Sequence, residues 1–188
     1  ALGNEPKAAL EEYGPRIQGL MEERMQAVAA AEKQASDAWV AEQAKLPGAQ
    51  RSATGVVVIP MTEGTGANPT AESTVRVHYH GTLRDGTVFD SSVQRGEPIA
   101  FALNTVISCW TEGVQKIKVG GKSKLVCPAD TAYGDQGSGD IPGGAALAFE
   151  VELLAIEYPL RFALKQLCLN LAELALDDRG VIDAHADH

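Results

Sequence analysis

The feature that most constrains the fold of this 188-residue chain is a stretch in its middle with the pattern of a β-hairpin. Residues 74–80, TVRVHYH, alternate apolar and polar side chains, which is the two-residue period of a strand with one buried face. Residues 84–86, RDG, have the composition of a tight turn, and residues 87–90, TVFD, continue as a second strand. The sequence therefore predicts an antiparallel strand pair here.

Further strands and one short helix are predicted on both sides of this hairpin. Residues 56–59 are a β-branched run, and residues 122–127 and 146–156 are predicted to form two more strands, the second of them strongly apolar. A short helix is expected from Asn104 or Thr105 to Glu112, closed by Gly113. Residues 135–144 are rich in glycine and are predicted to form a loop. These elements together indicate an antiparallel α+β domain.

The first 46 residues have the composition of a helix. From Pro15 to Lys45 only Gly19 disfavours helix, so a helix of about 45 Å is expected, with a shorter one over residues 5–13. Such a helix is either a solvated arm or half of an interhelical contact, because its larger apolar side chains are few. These are Ile17, Leu20, Met21, Met25, Val28 and Trp39.

The last 32 residues contain a regular leucine pattern. Its leucines are spaced 4, 3, 4 and 3 residues apart, at Leu160, Leu164, Leu167, Leu171 and Leu174. This seam needs a partner: the main domain, a second copy of the chain or the N-terminal helix. The predicted organisation is a helical region 1–46 suited to dimerisation, a linker 47–54, a main domain 55–156 and a helical extension 157–188 of unknown role.

Charge and composition exclude several classes of function. The formal net charge of −9 disfavours nucleic acid and anionic membranes as partners, because both require a basic surface. No apolar run approaches the roughly 20 residues of a membrane span. The chain begins at Ala1, so we expect either a removed targeting segment or a trimmed end.

Cysteine and histidine positions do not suggest a metal centre. Cys109, Cys127 and Cys168 lack metal-like spacing, and we expect buried free thiols, with at most one disulfide within the chain. His78 and His80 lie on one side of the predicted strand, opposite Tyr79. A two-histidine metal site is the alternative, but no third ligand is nearby in the sequence, so the pair is interpreted as solvent-facing.

Several motifs of the central region resemble one family, the FKBP-type peptidyl-prolyl cis/trans isomerases. They are VHYHGTLRDGTVFDSS, GEPIAFALNTVISCWTEGVQKIKVGGKSKLVCP, TAYGDQG and IPGGAALAFEVELLAI. The N-terminal region is similar to the bacterial subgroup that includes the macrophage infectivity potentiators and FkpA. That similarity implies homodimerisation through helices and a periplasmic or outer-membrane-associated location, without excluding the cytoplasm.

The resemblance implies a twisted antiparallel sheet wrapped over one short helix, with an apolar cavity between them. Catalytic residues carried over by motif are Tyr79, Phe89, Asp90 and Tyr133. Substrate-binding residues carried over are Ile99, Phe101, Val106, Ile107, Trp110, Ile141 and Phe149. Trp110 would be the floor under the prolyl ring, and the Ile107 amide and Tyr133 hydroxyl would donate hydrogen bonds to substrate carbonyls.

The expected function is acceleration of X–Pro isomerisation in polypeptide substrates, with binding of macrolide inhibitors implied by the family. No cofactor or metal is expected, because the reaction makes and breaks no covalent bond. The alternative is a polypeptide-holding chaperone with incidental turnover. Four features depart from the residues common in the family: Cys109, which adds a side chain at the cavity helix, Ile99 in place of an aromatic, the short loop 135–140, and the pair Gly143–Gly144 in a turn that is often proline-rich. Taken together, these changes are expected to leave the floor and walls of the cavity intact and to thin one rim.

Overall fold

The computed structural model describes residues 7–157. It confirms the predicted fold class, an antiparallel sheet with a short helix after a long N-terminal helix. The elements are α1 Lys7–Gln43, β1 Gln50–Arg51, β2 Val57–Thr62, β3 Thr74–Leu83, β4 Val88–Ser91, α2 Ser92–Arg95, β5 Ile99–Ala102, α3 Ser108–Val114, β6 Lys122–Cys127, a 3₁₀ turn Ala129–Thr131 and β7 Leu147–Glu157. The leucine seam predicted in residues 157–188 lies outside this part of the chain.

The seven strands form one sheet in the order β1-β2-β6-β7-β3-β4, and β5 also pairs with β3. Strands β3 and β4 are the predicted hairpin, and Gly81 of β3 faces Asp90 of β4. Strands β6 and β7 pair antiparallel over six residues, with Leu125 opposite Phe149. Because β7 lies next to β3, this register brings Phe149 to the same region of the sheet as Tyr79.

The main core lies between the concave face of the sheet and α3. Most of its fully buried side chains come from β3, β6, β7 and α3, and on the strands they recur at every second position, as expected for one buried face. Gly113 of α3 lies so close to Leu125 of β6 that an added Cβ would be 2.8 Å from a leucine methyl. The short helix therefore packs directly onto the sheet.

The long helix α1 has two different halves. Towards its C-terminal end, Val40 joins Val57, Val126 and Ala146 in a second buried apolar cluster. This half of α1 is part of the domain, and residues 7–156 form one compact unit. The earlier half exposes an apolar stripe to solvent, with more than half of each side chain accessible: Ile17, Leu20, Met21, Met25 and Val28. None of the described helices is long and apolar enough to cross a bilayer.

Some predicted boundaries are wrong. The break expected at Gly14–Pro15 is absent, and α1 continues through both residues. A proline removes one intrahelical hydrogen bond, but each further residue of a long helix adds one, so a single defect does not end it. The short helix begins at Ser108, because the Thr105 hydroxyl instead bonds Ala102 O, 2.8 Å away, in the turn after β5.

The expectation of free thiols is wrong for two of the three cysteines. Cys109 of α3 and Cys127 of β6 form a disulfide, with their Cα atoms 5.6 Å apart and a sequence separation of 18. Both are fully buried. The sequence predicts a helix at Cys109 and a strand at Cys127, but it does not reveal that the two side chains meet. The third, Cys168, lies outside the described residues.

Candidate active site

Aromatic rings from four separate elements meet around Trp110. The centroid of its ring system lies 5.3 Å from that of Tyr79, 5.5 Å from Phe101 and 5.4 Å from Phe149, each pair edge to face. Phe89 extends the group through Phe149, with centroids 5.5 Å apart. Such edge-to-face pairs are a favourable aromatic geometry. The rings thus form one continuous apolar surface with Trp110 at its centre.

The surface is buried at its centre and partly open at its margin. Tyr79, Trp110, Phe149 and Ile141 are at least 92% buried. Five further apolar side chains pack against them and remain partly accessible to solvent: Phe89, Ile99, Phe101, Val106 and Ile107. A ligand could therefore reach the ring cluster across these partly exposed residues.

A glycine in β3 permits the close approach of two of the rings. A Cβ added to Gly81 would lie 2.7 Å from Phe89 Cζ and 3.1 Å from Phe149 Cε1, both closer than normal contact. Gly81 follows Tyr79 by two residues, so it is on the same face of the strand. The missing side chain at Gly81 therefore leaves the space into which Phe89 and Phe149 pack.

One polar network borders the rings. The Tyr79 hydroxyl donates a hydrogen bond to Asp90, and the Arg95 guanidinium bonds the other carboxylate oxygen of Asp90. Arg95 also donates to the Tyr79 hydroxyl over 3.1 Å, and its Cζ lies 5.8 Å from the Tyr79 ring centroid. A phenol, a carboxylate and a guanidinium therefore fix one another at the edge of the apolar surface.

This network shifts the pKa values of its members. Burial raises the pKa of the Asp90 carboxyl, but the hydrogen bonds from Tyr79 and Arg95 outweigh it, so the net shift is downward. Burial, with the hydrogen bond to Asp90, raises the pKa of the Tyr79 phenol. At neutral pH, Asp90 is therefore a carboxylate and Tyr79 a neutral phenol. Neither group gains or loses a proton near pH 7.

A short turn after β4 positions this network. The Ser91 hydroxyl caps α2 by accepting a hydrogen bond from Gln94 N over 3.2 Å, and Gly96 closes the helix in the left-handed conformation at φ 74°. The turn folds the chain back so that Arg95 reaches Asp90. Arg95 is the member of this network that the sequence analysis does not identify, because only the capped turn reveals that a residue five positions later returns to the carboxylate.

The two histidines of β3 bond serine hydroxyls. His78 Nδ1 lies 3.2 Å from Ser92 Oγ, and His80 Nδ1 lies 3.0 Å from Ser91 Oγ. Ser92 also accepts from Tyr79 N over 2.8 Å. Both histidines are half-buried, so the interpretation of the pair as wholly solvent-facing is incomplete. Within residues 7–157 no three His, Cys, Asp or Glu side chains are grouped closely enough to hold a metal ion.

The start of α3 presents backbone donors at the margin of the rings. Ile107 is the residue before the first helical turn, and its carbonyl accepts from Trp110 N over 2.9 Å. Amides at the beginning of a helix have no intrahelical acceptor, so they are available to a ligand. The disulfide holds the residue next to Trp110 to β6, which fixes the helix at this position.

Tyr133 is set apart from the other predicted site residues. Its side chain is 39% exposed, in the turns after the 3₁₀ segment, and its ring contacts no other aromatic ring of the described chain. Ile141, eight residues later, is packed into the main cluster. The structure therefore places nine of the eleven predicted residues in the main apolar cluster or packed against it, and a tenth, Asp90, is hydrogen-bonded to Tyr79 of that cluster, whereas Tyr133 lies on an exposed segment.

Comparisons with known proteins agree with this architecture. Residues 66–154 match the family model described as FKBP-type peptidyl-prolyl cis-trans isomerase. The chain is 45% identical over 155 residues to FkpA of Aeromonas hydrophila, covering 82% of this chain and 58% of that protein. It is 43% identical over 149 residues to the FKBP-type 22 kDa peptidyl-prolyl cis-trans isomerase of Escherichia coli, covering 79% and 70% of the two chains.

The fold is shared with a solved relative. The crystal structure of FkpA from Escherichia coli superimposes with a TM-score of 0.79 at 39% identity, covering 83% of this chain and 74% of that one. The chain spans somewhat under 60% of the length of the FkpA proteins of Aeromonas hydrophila and Escherichia coli. The sequence identity, the shared architecture and the coverage of the 22 kDa relative lead to one conclusion: the chain belongs to the FKBP-type peptidyl-prolyl cis-trans isomerase family.

Proposed function

We propose that this chain catalyses cis–trans isomerisation of X–Pro bonds in polypeptides at the ring cluster around Trp110. The observation that carries the proposal is the apolar surface formed by Trp110 with Tyr79, Phe101 and Phe149, bordered by ionised Asp90. Membership of the isomerase family supports it. We assign proline-containing polypeptides as the substrate class.

The reaction needs no nucleophile or cofactor. The barrier to rotation is about 18–20 kcal/mol because the planar amide is stabilised by resonance. Uncatalysed exchange at X–Pro bonds therefore takes tens to hundreds of seconds. An apolar surface favours the twisted amide, since it excludes the water that stabilises the polar planar form. Catalysis is then the tighter binding of the twisted state than of the planar one.

Each part of the site has a distinct task in this scheme. The prolyl ring lies on Trp110, between the walls formed by Tyr79, Phe89 and Phe101. The Ile107 amide and the Tyr133 hydroxyl donate hydrogen bonds to substrate carbonyls flanking the rotating bond. The remaining contacts with substrate come from Ile99, Val106, Ile141 and Phe149.

Asp90 acts through its charge and its hydrogen bonds. Its lowered pKa leaves it without a proton to donate near neutral pH. The carboxylate instead orients the Tyr79 phenol, and its field acts on the carbonyl as that group turns out of conjugation with the nitrogen. The role is electrostatic and positional.

The test is a protease-coupled isomerisation assay across a series of peptides that differ in the residue before proline. Acceleration over the spontaneous rate, abolished by a macrolide inhibitor, is the expected result. No acceleration for any peptide of the series would refute the proposal. The same series measures which residue before proline is preferred.

The ring cluster and the family favour an isomerase over a module that only holds polypeptides. A Tyr133→Phe, Asp90→Ala double variant separates the two activities. Lost peptide isomerisation with unchanged suppression of aggregation would show that holding does not depend on the catalytic site. Loss of both would show that one site serves both.

We assign the protein to an oxidising compartment, the bacterial periplasm. Disulfides persist in the periplasm and are rare in the cytosol, and the Cys109–Cys127 bond is buried in the core of the domain. Trapping free thiols in intact cells and in cell fractions is the test. A protein recovered from the cytosolic fraction with both thiols alkylated would contradict this location.

We further infer that two copies of the chain associate through α1. The supporting observation is the exposed stripe of Ile17, Leu20, Met21, Met25 and Val28, which recurs at three- and four-residue intervals along one side of the helix. A stripe of this length on an otherwise polar helix is suited to burial against an identical helix.

A further inference from the structure

The segment that carries Tyr133 and Ile141 depends on contacts with the rest of the molecule for its position. We refer to residues 129–146 as the rim segment. Apart from its opening 3₁₀ turn and an isolated bridge between Ser138 and Ile141, it has no regular secondary structure. Its geometry is therefore determined by what it packs against.

Helix α1 lies directly against the backbone of this segment. A Cβ added to Gly144 would overlap the Ala29 carbonyl and lie 2.9 Å from Lys33 N. A Cβ added to Gly143 would be 3.3 Å from Ala29 Cβ. The glycine pair that departs from the family pattern is thus the place where helix and rim segment touch, with no room for a side chain between them.

A buried hydrogen bond fixes the end of the rim segment to the same helix. Ser36 Oγ accepts from Ala146 N over 2.8 Å, and Ser36 is 1% exposed. The bond spans 110 residues of sequence, so it ties the N-terminal helix to the start of β7. Buried polar groups of this kind are strongly held, because losing the partner leaves a donor without an acceptor.

Lys33 forms ion pairs with the rim segment on both sides of Tyr133. Its Nζ lies 2.6 Å from Asp130 Oδ1 and 3.7 Å from Asp135 Oδ1. Tyr133 lies between the two aspartates in sequence, so one ammonium group connects both ends of the turn that presents it. The pairs are largely exposed, and exposed pairs contribute little to global stability. We therefore expect Lys33 to affect the position of the turn more than the stability of the fold.

We propose that α1 is part of the catalytic architecture, with Lys33 and Ser36 as positioning residues that set the distance between Tyr133 and the ring cluster. The inference rests on the proposed isomerase function. Catalytic efficiency is sensitive to displacements of about 1 Å, so loosening the turn weakens substrate binding without touching the rings. The orientation of the N-terminal arm is thereby coupled to the active site.

The test is a Lys33→Ala variant of the full chain, compared with Lys33→Arg and Lys118→Ala. Lys33→Arg keeps the charge facing the two aspartates. Lys118→Ala removes a lysine paired with Glu63, on the segment between α3 and β6 and away from α1. We expect Lys33→Ala to raise KM for X–Pro peptides about fivefold with little change in kcat, which is the pattern of lost uniform binding. Both control variants should keep the wild-type KM.

Amide hydrogen exchange supplies a readout independent of turnover. In Lys33→Ala, exchange in residues 133–141 should accelerate several-fold, with the melting temperature and exchange in β6 and β7 unchanged. Unaltered exchange in the rim segment, or a KM equal to that of Lys118→Ala, would overturn the inference. A wild-type protein without isomerase activity would instead refute the proposed function, and the exchange comparison would still decide whether α1 holds the rim segment.

Discussion

At the scale of single residues, the proposed site combines a small polar network with the larger apolar ring cluster. Tyr79 is the member of both: its ring contacts Trp110, and its hydroxyl bonds Asp90 and Arg95. The ring positions were predicted from motifs that resemble the FKBP family, and Tyr79 and Phe149 also lie at alternate positions of strands whose buried face is recognisable in the sequence. The partnership of Arg95 was not, since it arises from a four-residue helix that the sequence only weakly indicates.

Replacement of Arg95 tests the polar network. An Arg95→Ala change should lower kcat/KM about fivefold, a modest loss because the ion pair with Asp90 is about half exposed to solvent. The loss arises because Asp90 and the Tyr79 hydroxyl are no longer held in place. Peptide isomerisation kinetics measure it, with Arg16→Ala on α1 as a matched control. Equal rates for both variants would show that Arg95 has no part in the site.

The pH dependence of activity follows from the pKa shifts of Asp90 and Tyr79. The pKa of Asp90 is lowered in the folded protein. The hydrogen bonds that its carboxylate accepts are therefore fully present above the ordinary aspartate pKa of about 3.9, and they are lost as the pH falls through the folded-state pKa. The Tyr79 pKa is raised, so the phenol stays protonated past its ordinary value of about 10. We expect kcat/KM to be flat from about pH 5 to pH 9.5. A bell-shaped profile centred near pH 7 would indicate a titrating acid or base absent from this account.

Gly81 tests how tightly the rings are packed. A Gly81→Ala change places a methyl group against Phe89 and Phe149, and overpacking of this kind typically destabilises by about 1–3 kcal/mol. Denaturant unfolding should show that loss, with reduced isomerase activity. Gly19→Ala is the control, because nothing lies within 4 Å of the added carbon and alanine favours a helix. A fully stable, fully active Gly81→Ala protein would contradict the observed packing.

At the scale of elements, the sequence predicts the strands better than the helices. Strand β6 has the predicted bounds, because a glycine pair before it and a proline after it limit the strand to these six residues. Strand β5 is not predicted from the sequence, because its four residues after Pro98 are too few to show the alternation of a strand. The start of α3 was misplaced because Thr105 can cap either a helix or a turn, and only packing on the sheet selects between them.

The disulfide between α3 and β6 should stabilise the domain mainly by restricting the unfolded chain. For the 18-residue separation, loop-closure entropy corresponds to about 3 kcal/mol. Urea unfolding in a Cys168→Ser background, with and without a dithiol reductant, measures the difference. A Cys109→Ala, Cys127→Ala variant should be insensitive to the reductant. If reduction is complete by thiol counting and the wild-type curve does not move, the bond contributes nothing to stability.

At the scale of the whole molecule, the two halves of α1 have different surroundings. Its later half is packed into the domain through Val40 and Ser36, and its earlier half exposes the apolar stripe. The sequence composition predicts a long helix with few large apolar residues but does not show which half is docked. That division depends on the Gly143–Gly144 contact, which joins positions more than a hundred residues apart.

Association through the stripe is tested by charge insertion. A Met21→Glu, Met25→Glu variant should convert a dimer to a monomer in analytical ultracentrifugation, because carboxylates are costly to bury without a partner. Glu22→Gln, an exposed neighbour on the same helix, is the control. A wild-type protein that sediments as a monomer at every concentration would contradict association through α1.

The most direct test of the central claim uses the two tryptophans of the chain as paired reporters. A proline-containing peptide is titrated into the ¹⁵N-labelled protein, and the indole N–H signals of Trp110 and Trp39 are followed by NMR. If the ring cluster is the substrate site, the Trp110 signal should shift saturably, with the Kd that competes with isomerisation, and the Trp39 signal should not move. A stationary Trp110 signal at peptide concentrations that support turnover would show that proline is bound elsewhere.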